Sequence, residues 1–228
     1  MYKLYIISGA SGIGKTTLLF KLAKMRVCDI APKYSNRPQR AGLDDVIHVD
    51  DIYDPKYSCD IIYELYYYRY GINTQEIKNK LFQNNQILII SNIEALIKIK
   101  QIFKEIVVIT NMFLPENHFR NLIKTYISRE NLKLSRNDRE ELISVAGKIS
   151  RLTKEHDEQE FLSLNNQFCK IMKNHITDHN RYLKFIMRYE SWTRAFDYYC
   201  SNKSLYDYSF ELNDSDFYKL YKLIKKNY

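Results

Sequence analysis

The sequence is poor in the features that would remove it from the class of compact globular proteins. None of its 228 residues fall in a run approaching the roughly 18–20 consecutive apolar residues that cross a bilayer, so neither a membrane-embedded chain nor a membrane partner is expected. Met1-Tyr2-Lys3-Leu4-Tyr5-Ile6-Ile7 runs directly into a glycine-containing loop, and the chain is read as soluble and without a cleaved leader. Cys28, Cys59, Cys169 and Cys200 are far apart, which excludes the close pairs of zinc and redox motifs and fits reduced thiols in a cytoplasmic protein. With only six glycines and four prolines, no internal repeat and no low-complexity linker, the chain offers no boundary between independent domains. A hydrophobic content of 45% suffices for one substantial core, so the expectation is one domain with an appended lid or insertion.

Acidic side chains are the minority, 27 against 35 Lys and Arg, for a net charge of +8. Such an excess suits nucleic acid, an acidic surface or a phosphate-rich substrate, and the sign alone does not choose. Lys219, Lys222, Lys225 and Lys226 cluster in the last helical pattern, where a solvated face and the negative end of the helix dipole account for them. Nucleic acid is therefore the weaker reading. The 20 tyrosines follow a bias of the whole sequence rather than a localised stacking pattern.

Apolar runs and helical spacing alternate along the first half. Lys3 to Ser8 reads as a buried strand, Thr16 to Met25 as a helix, Ile61 to Tyr70 as strand, and Thr74 to Asn84 as a helix. Ile87 to Ile90 and Glu105 to Ile109 read as further buried strands, with a helix over Ile93 to Phe103 between them. Such alternation predicts an α/β fold, a doubly wound parallel sheet with helices on both faces. Between Glu116 and Tyr199, Gly147 is the only glycine and proline is absent, which predicts an enlarged helical lid or insertion over 116–199. A last strand over Asp207 to Leu212 and a terminal helix carrying Phe217, Leu220, Tyr221 and Ile224 return the chain to the core. The core is thus expected over 1–115 and 200–228.

The most specific chemistry lies in Gly9-Ala10-Ser11-Gly12-Ile13-Gly14-Lys15-Thr16, which matches G-x-x-x-x-G-K-[ST] between a predicted strand and a predicted helix. Glycines let backbone N–H groups turn onto phosphate oxygens, and the helix start adds its positive end to the same anion. Lys15 is the candidate cation for the γ-phosphoryl group of ATP, and the Thr16 hydroxyl the candidate ligand for Mg2+. Thr17 adjoins the same loop. Asp44, Asp45 and Asp50 are either magnesium carboxylates or an acidic surface loop.

A second constellation is Arg37-Pro38-Gln39-Arg40-Ala41-Gly42, within the acceptor-binding segment 31–73. Two arginines three residues apart either hold a phosphate by forked hydrogen bonds or stand solvated. Tyr70-Gly71 then precedes a helix. In this order of features, over Met1 to about Pro115 and Leu205 to Tyr228, the chain resembles the guanylate kinase family, with Tyr206-Asp207-Tyr208 to Asn213-Asp214 resembling its last strand and ending. The resemblance implies ATP- and magnesium-dependent transfer to a nucleoside monophosphate, with Arg37, Arg40 and Tyr70 on the acceptor's phosphate and Arg129 and Arg151 as catalytic arginines beside Lys15. Asn36 stands where the family has a threonine and Ser91-Asn92 where it has an acidic residue, and the guanine-reading glutamate has no counterpart beyond nearby Glu64. The chain is also similar to ribose 1,5-bisphosphate phosphokinases, which implies a sugar phosphate as the alternative acceptor. A binding module without catalysis is the reading from another class. Arg188 and Arg194 are second candidates for the lid, His175 and His179 are either a metal pair or a solvated face of one helix, and Tyr66-Tyr67-Tyr68 either lines an acceptor pocket or, more simply, alternates in a strand.

Overall fold

A computed structural model describes residues 2–226 except 91, 115–117, 156–157 and 212–213; in a few further stretches of helix and strand only the backbone is described. By contact the chain divides into two compact units, the first made of Met1–Gly9, Gly14–Phe113 and Asn202–Tyr228, the second of Ala10–Ile13 with Leu114–Ser201.

The first unit holds a central sheet of β1 (Lys3–Gly9), β2 (Asp29–Ile30), β7 (Gln86–Ile89), β8 (Val107–Leu114) and β9 (Tyr208–Glu211) in the order β2-β7-β1-β8-β9. β1 runs parallel to both β7 and β8, and β2 parallel to β7. Leu4 to Ile7 and the whole of β7 are buried, as strands covered on both faces must be, which is why their sequences are continuous apolar runs. The sheet is flanked by α1 (Lys15–Lys24), α2 (Thr74–Leu81) and α3 (Ile93–Ile102). Asn73 and Asn92 cap the last two, accepting from Glu76 N and Ala95 N at 2.9 Å each. Asn92 is therefore explained as a helix cap. Its neighbour Ser91 lies outside the described residues. A terminal helix, α8 (Asp214–Lys225), ends the chain with Phe217, Leu220 and Ile224 buried.

β8 extends well past the expected apolar stretch because Thr110 and Asn111 continue it. Inside the fold, Thr110 Oγ1 bonds Asp207 Oδ2 at 2.8 Å and the Leu205 carbonyl at 2.6 Å, and Asn111 Nδ2 donates to the Ile6 carbonyl at 3.2 Å. Leu212 and Asn213, part of the expected tail motif, lie outside the described residues.

A smaller sheet in the same unit has the order β4-β3-β6-β5, built from β3 (Tyr34–Ser35), β4 (Ile47–His48), β5 (Ile61–Leu65) and β6 (Tyr68–Ile72). Here the expectation of one strand through Tyr66–Tyr68 is corrected: Tyr66 and Tyr67 have φ of 54° and 68° and form the turn of an antiparallel hairpin. Positive φ at both central positions suits the right-handed twist of the flanking strands, although tyrosine is an uncommon occupant.

The second unit consists of α4 (His118–Arg129), α5 (Arg136–Glu155), α6 (Glu158–His175) and α7 (His179–Ser201). Leu142, Val145, Ala146 and Ile149 on α5, Leu164, Phe168 and Met172 on α6, and Phe185, Tyr189 and Trp192 on α7 are buried at three- and four-residue intervals. Each large side chain so buried contributes about 1.5–3 kcal/mol, enough for four helices to pack without a sheet. Among the described residues no helix is long and apolar enough to cross a membrane.

Candidate functional site

The chain leaves β1 at Gly9 and enters α1 at Lys15. Gly12 and Gly14 have φ of 90° and 95°, a region that costs any residue with a Cβ, and Gly14 is the capping residue of α1. No side chain caps this helix start and no acidic residue stands in its first turn, so its N–H groups and positive dipole end suit an anion. Ala10 and Ile13 are buried, Ser11 is half-buried, and Gly12 and Thr17 are exposed.

Lys15 is buried and donates from Nζ to the Gly9 carbonyl at 2.8 Å. Burial lowers its pKa from 10.5 to about 7; Asp45 works to raise it, and Lys33 and Arg40 lower it further. In the same unit Lys33 Nζ meets Asp45 Oδ2 at 2.6 Å and the Ile89 carbonyl at 2.8 Å. Burial works to raise the Asp45 pKa, but the charge and hydrogen bond of Lys33, with Arg40 and Arg37, overcome it and hold the carboxyl at about 2. Thr16 Oγ1 lies 3.3 Å from Asp45 Oδ1. A hydroxyl beside a carboxylate that stays ionised at neutral pH is an all-oxygen donor set of the kind Mg2+ takes, so Thr16 and Asp45 fit that ion. Asp50 is exposed, whereas Asp44 has another task.

Asp44 holds Arg37. Both terminal guanidinium nitrogens reach its carboxylate, Nη1 at 3.0 Å from Oδ2, and His48 Nε2 and the Arg40 backbone N–H meet the same Oδ2 at 2.9 and 3.1 Å. Arg37 is only 6% exposed, so the guanidinium that the family likeness turns towards an acceptor is engaged by an internal carboxylate. Arg40 is exposed, and among the described residues its guanidinium makes no ion pair; its charge nevertheless acts on Lys15, Lys33, Asp45 and Tyr70. Tyr70 is buried, stacked on Tyr63 at 5.3 Å between ring centroids, with its hydroxyl pKa raised by burial. Lys33, Arg37 and Arg40, joined by Lys15 when it is protonated, thus outnumber the carboxylates of Asp44 and Asp45. Asn36 accepts from the Arg69 backbone N–H at 2.8 Å, and Glu64 pairs with Arg69 on the surface.

In the second unit, Arg129 and Arg188 share a small cleft with Ser11, Gly12, Tyr126 and Trp192. Arg188 stacks 5.4 Å from the centre of the Tyr126 ring and lies 3.5 Å from Glu130. Arg194 is exposed beside Glu190 at 3.9 Å. Arg151 belongs to α5, and its side chain lies outside the described residues. The reading of His175 and His179 as one helical pair is corrected: α6 ends at His175, α7 begins at His179, and His175 lies 3.3 Å from Asp138. Cys28, Cys59 and Cys169 are free thiols, and the side chain of Cys200 is not among those described.

Sequence reasoning missed Lys33, His48 and Trp192. The one available signal was Lys33 itself, a charge set between the aliphatic Ala31-Pro32 and Tyr34.

A parallel α/β sheet with this loop between its first strand and first helix is a fold of the P-loop NTPase kind. No protein-family model and no curated protein matches the chain. Among solved structures it is similar to the crystal structure of guanylate kinase from Anaplasma phagocytophilum, with a TM-score of 0.52 and 11% identity over 99% of this chain and 85% of that one. The likeness defines a guanylate-kinase-like fold.

Proposed function

We propose that the chain is an ATP-dependent phosphotransferase that passes the γ-phosphoryl group to a small phosphorylated acceptor, in the first place a nucleoside monophosphate. The observation that carries this reading is Lys15, a lysine buried at the start of α1 that donates from Nζ to the Gly9 carbonyl within the glycine loop. Burying a cation in this way is costly and becomes favourable when a polyanion arrives. The guanylate kinase fold supports the same reading.

In the proposed reaction an acceptor phosphate oxygen forms a bond to the γ-phosphorus as the bond from that phosphorus to the β-bridging oxygen breaks. Charge spreads over the moving group, so the protein's task is positioning and electrostatic stabilisation. Gly9 to Thr16 hold the triphosphate, and Lys15 follows the transferred group. Thr16, with Asp45 beside it, would hold Mg2+, which neutralises charge on the β- and γ-phosphates when bound. Arg40 and Tyr70 are assigned to the acceptor's phosphate, with Arg37 oriented by Asp44. Arg129 and Arg188 are assigned to the transferred group, together with Arg151 on the family likeness.

A coupled ADP-release assay with GMP, the other nucleoside monophosphates and ribose 1,5-bisphosphate tests the reading. Turnover with a monophosphate supports it, and turnover with ribose 1,5-bisphosphate alone moves the acceptor to the sugar phosphates. MgATP binding without turnover on any acceptor leaves a binding module.

A further inference from the structure

Trp192 is the single tryptophan of the chain, 1% exposed on α7. Its indole Nε1–H donates to the Ser11 carbonyl at 3.0 Å, bridging 181 residues of sequence. Tyr126 and Tyr189 stand edge-on to the indole, each with its centroid 6.2 Å away, at 75° and 77°, which fixes the ring plane.

The Ser11 carbonyl belongs to the peptide that carries the Gly12 N–H. In a trans peptide the two bonds point in opposite directions, so holding the oxygen aims the N–H. Gly12, at φ 90° and with open space where a Cβ would stand, has no side chain to hinder the turning of that peptide. The buried indole, carried on a helix far away in sequence, holds the oxygen of that peptide. Arg188, one turn earlier on α7, lines the same cleft as Ser11 and Gly12.

We infer that Trp192 is a positioning residue for phosphate binding: its indole N–H sets the Ser11–Gly12 peptide so that the Gly12 N–H is aimed before the ligand arrives, and occupancy of the loop is felt at the indole. The inference rests on the phosphotransferase reading, in which the loop binds a triphosphate. It belongs to ligand binding rather than to folding, and the two are separable by experiment.

The test titrates the full chain with MgATP and with magnesium tripolyphosphate, following Trp192 emission and, independently, the heat of binding. The inference expects both ligands to change the emission with the same midpoint as the heat. Trp192→Phe, measured well below its own melting temperature, should bind MgATP about 5- to 30-fold more weakly, as expected for one lost hydrogen bond to an anion-binding peptide. A lowered melting temperature with unaltered affinity, or heat of binding with no change in wild-type emission, overturns the positioning role and leaves the phosphotransferase reading standing. Absence of binding by both signals in folded wild-type protein overturns that reading and the inference together. The emission arm needs no substitution, so it decides the matter even if Trp192→Phe fails to fold.

Discussion

Binding of MgATP should take up a proton at Lys15. In the free protein its pKa is lowered to about 7, mainly by burial, so at about pH 8 only about one-tenth of the molecules carry the charge. Phosphate oxygens placed against Nζ favour the charged form and return the pKa towards or above the ordinary 10.5. The complex is then fully charged, and binding at about pH 8 takes up about 0.9 proton, against about half a proton at about pH 7. Apparent affinity should correspondingly fall about tenfold between about pH 8 and pH 9, or about 1.4 kcal/mol. Calorimetric titrations in Tris and in HEPES, whose ionisation enthalpies differ, read the uptake directly, and at these pH values the terminal phosphate of ATP is already deprotonated. Lys15→Met supplies the control without uptake. Binding at about pH 8 with the same heat in both buffers would refute the argument that a buried, largely neutral lysine is recharged by its ligand.

The unliganded Lys15→Met protein should be more stable than wild type. The folded pKa lies below the unfolded one, so the cost is complete below about pH 7 and relieved as pH rises towards 10.5; a gain of roughly 2–4 kcal/mol at neutral pH that fades in alkali is expected in urea titrations. Asp45→Asn should cost roughly 3–5 kcal/mol by thermal or urea unfolding, because it leaves the Lys33 ammonium buried with its carboxylate removed. In the wild-type chain that carboxylate's contribution is present above about pH 4 and is lost as pH falls through about 2. Arg40→Ala should raise the acceptor KM by about 10- to 100-fold with little change in MgATP affinity, and an equal loss on both substrates in steady-state kinetics would remove Arg40 from the acceptor's phosphate.

Features set by neighbouring residues were legible in the sequence. β1 and β7 show themselves as apolar runs, α2 and α3 by their spacing behind Asn73 and Asn92, and the loop by its glycines. The hairpin at Tyr66–Tyr67 was hidden because its turn uses none of the usual glycine or asparagine, and the break between His175 and His179 because no proline or glycine marks it. The ion pairs were less accessible still. That Arg37 faces Asp44 and Lys33 faces Asp45 depends on β3 and β4 lying side by side, a pairing of two-residue strands without a periodic signature. Trp192 meets Ser11 only through tertiary packing.

The position of β9 carries a consequence for biosynthesis. This strand lies next to β8 at the sheet's edge, and the bonds of Thr110 to Leu205 and Asp207 reach across the whole of α4 to α7. On the ribosome, β8 therefore emerges with one edge open and keeps it open until the four helices have been translated. A chain truncated after α7 should expose that edge permanently and self-associate through it, whereas pairing with β9 seals it.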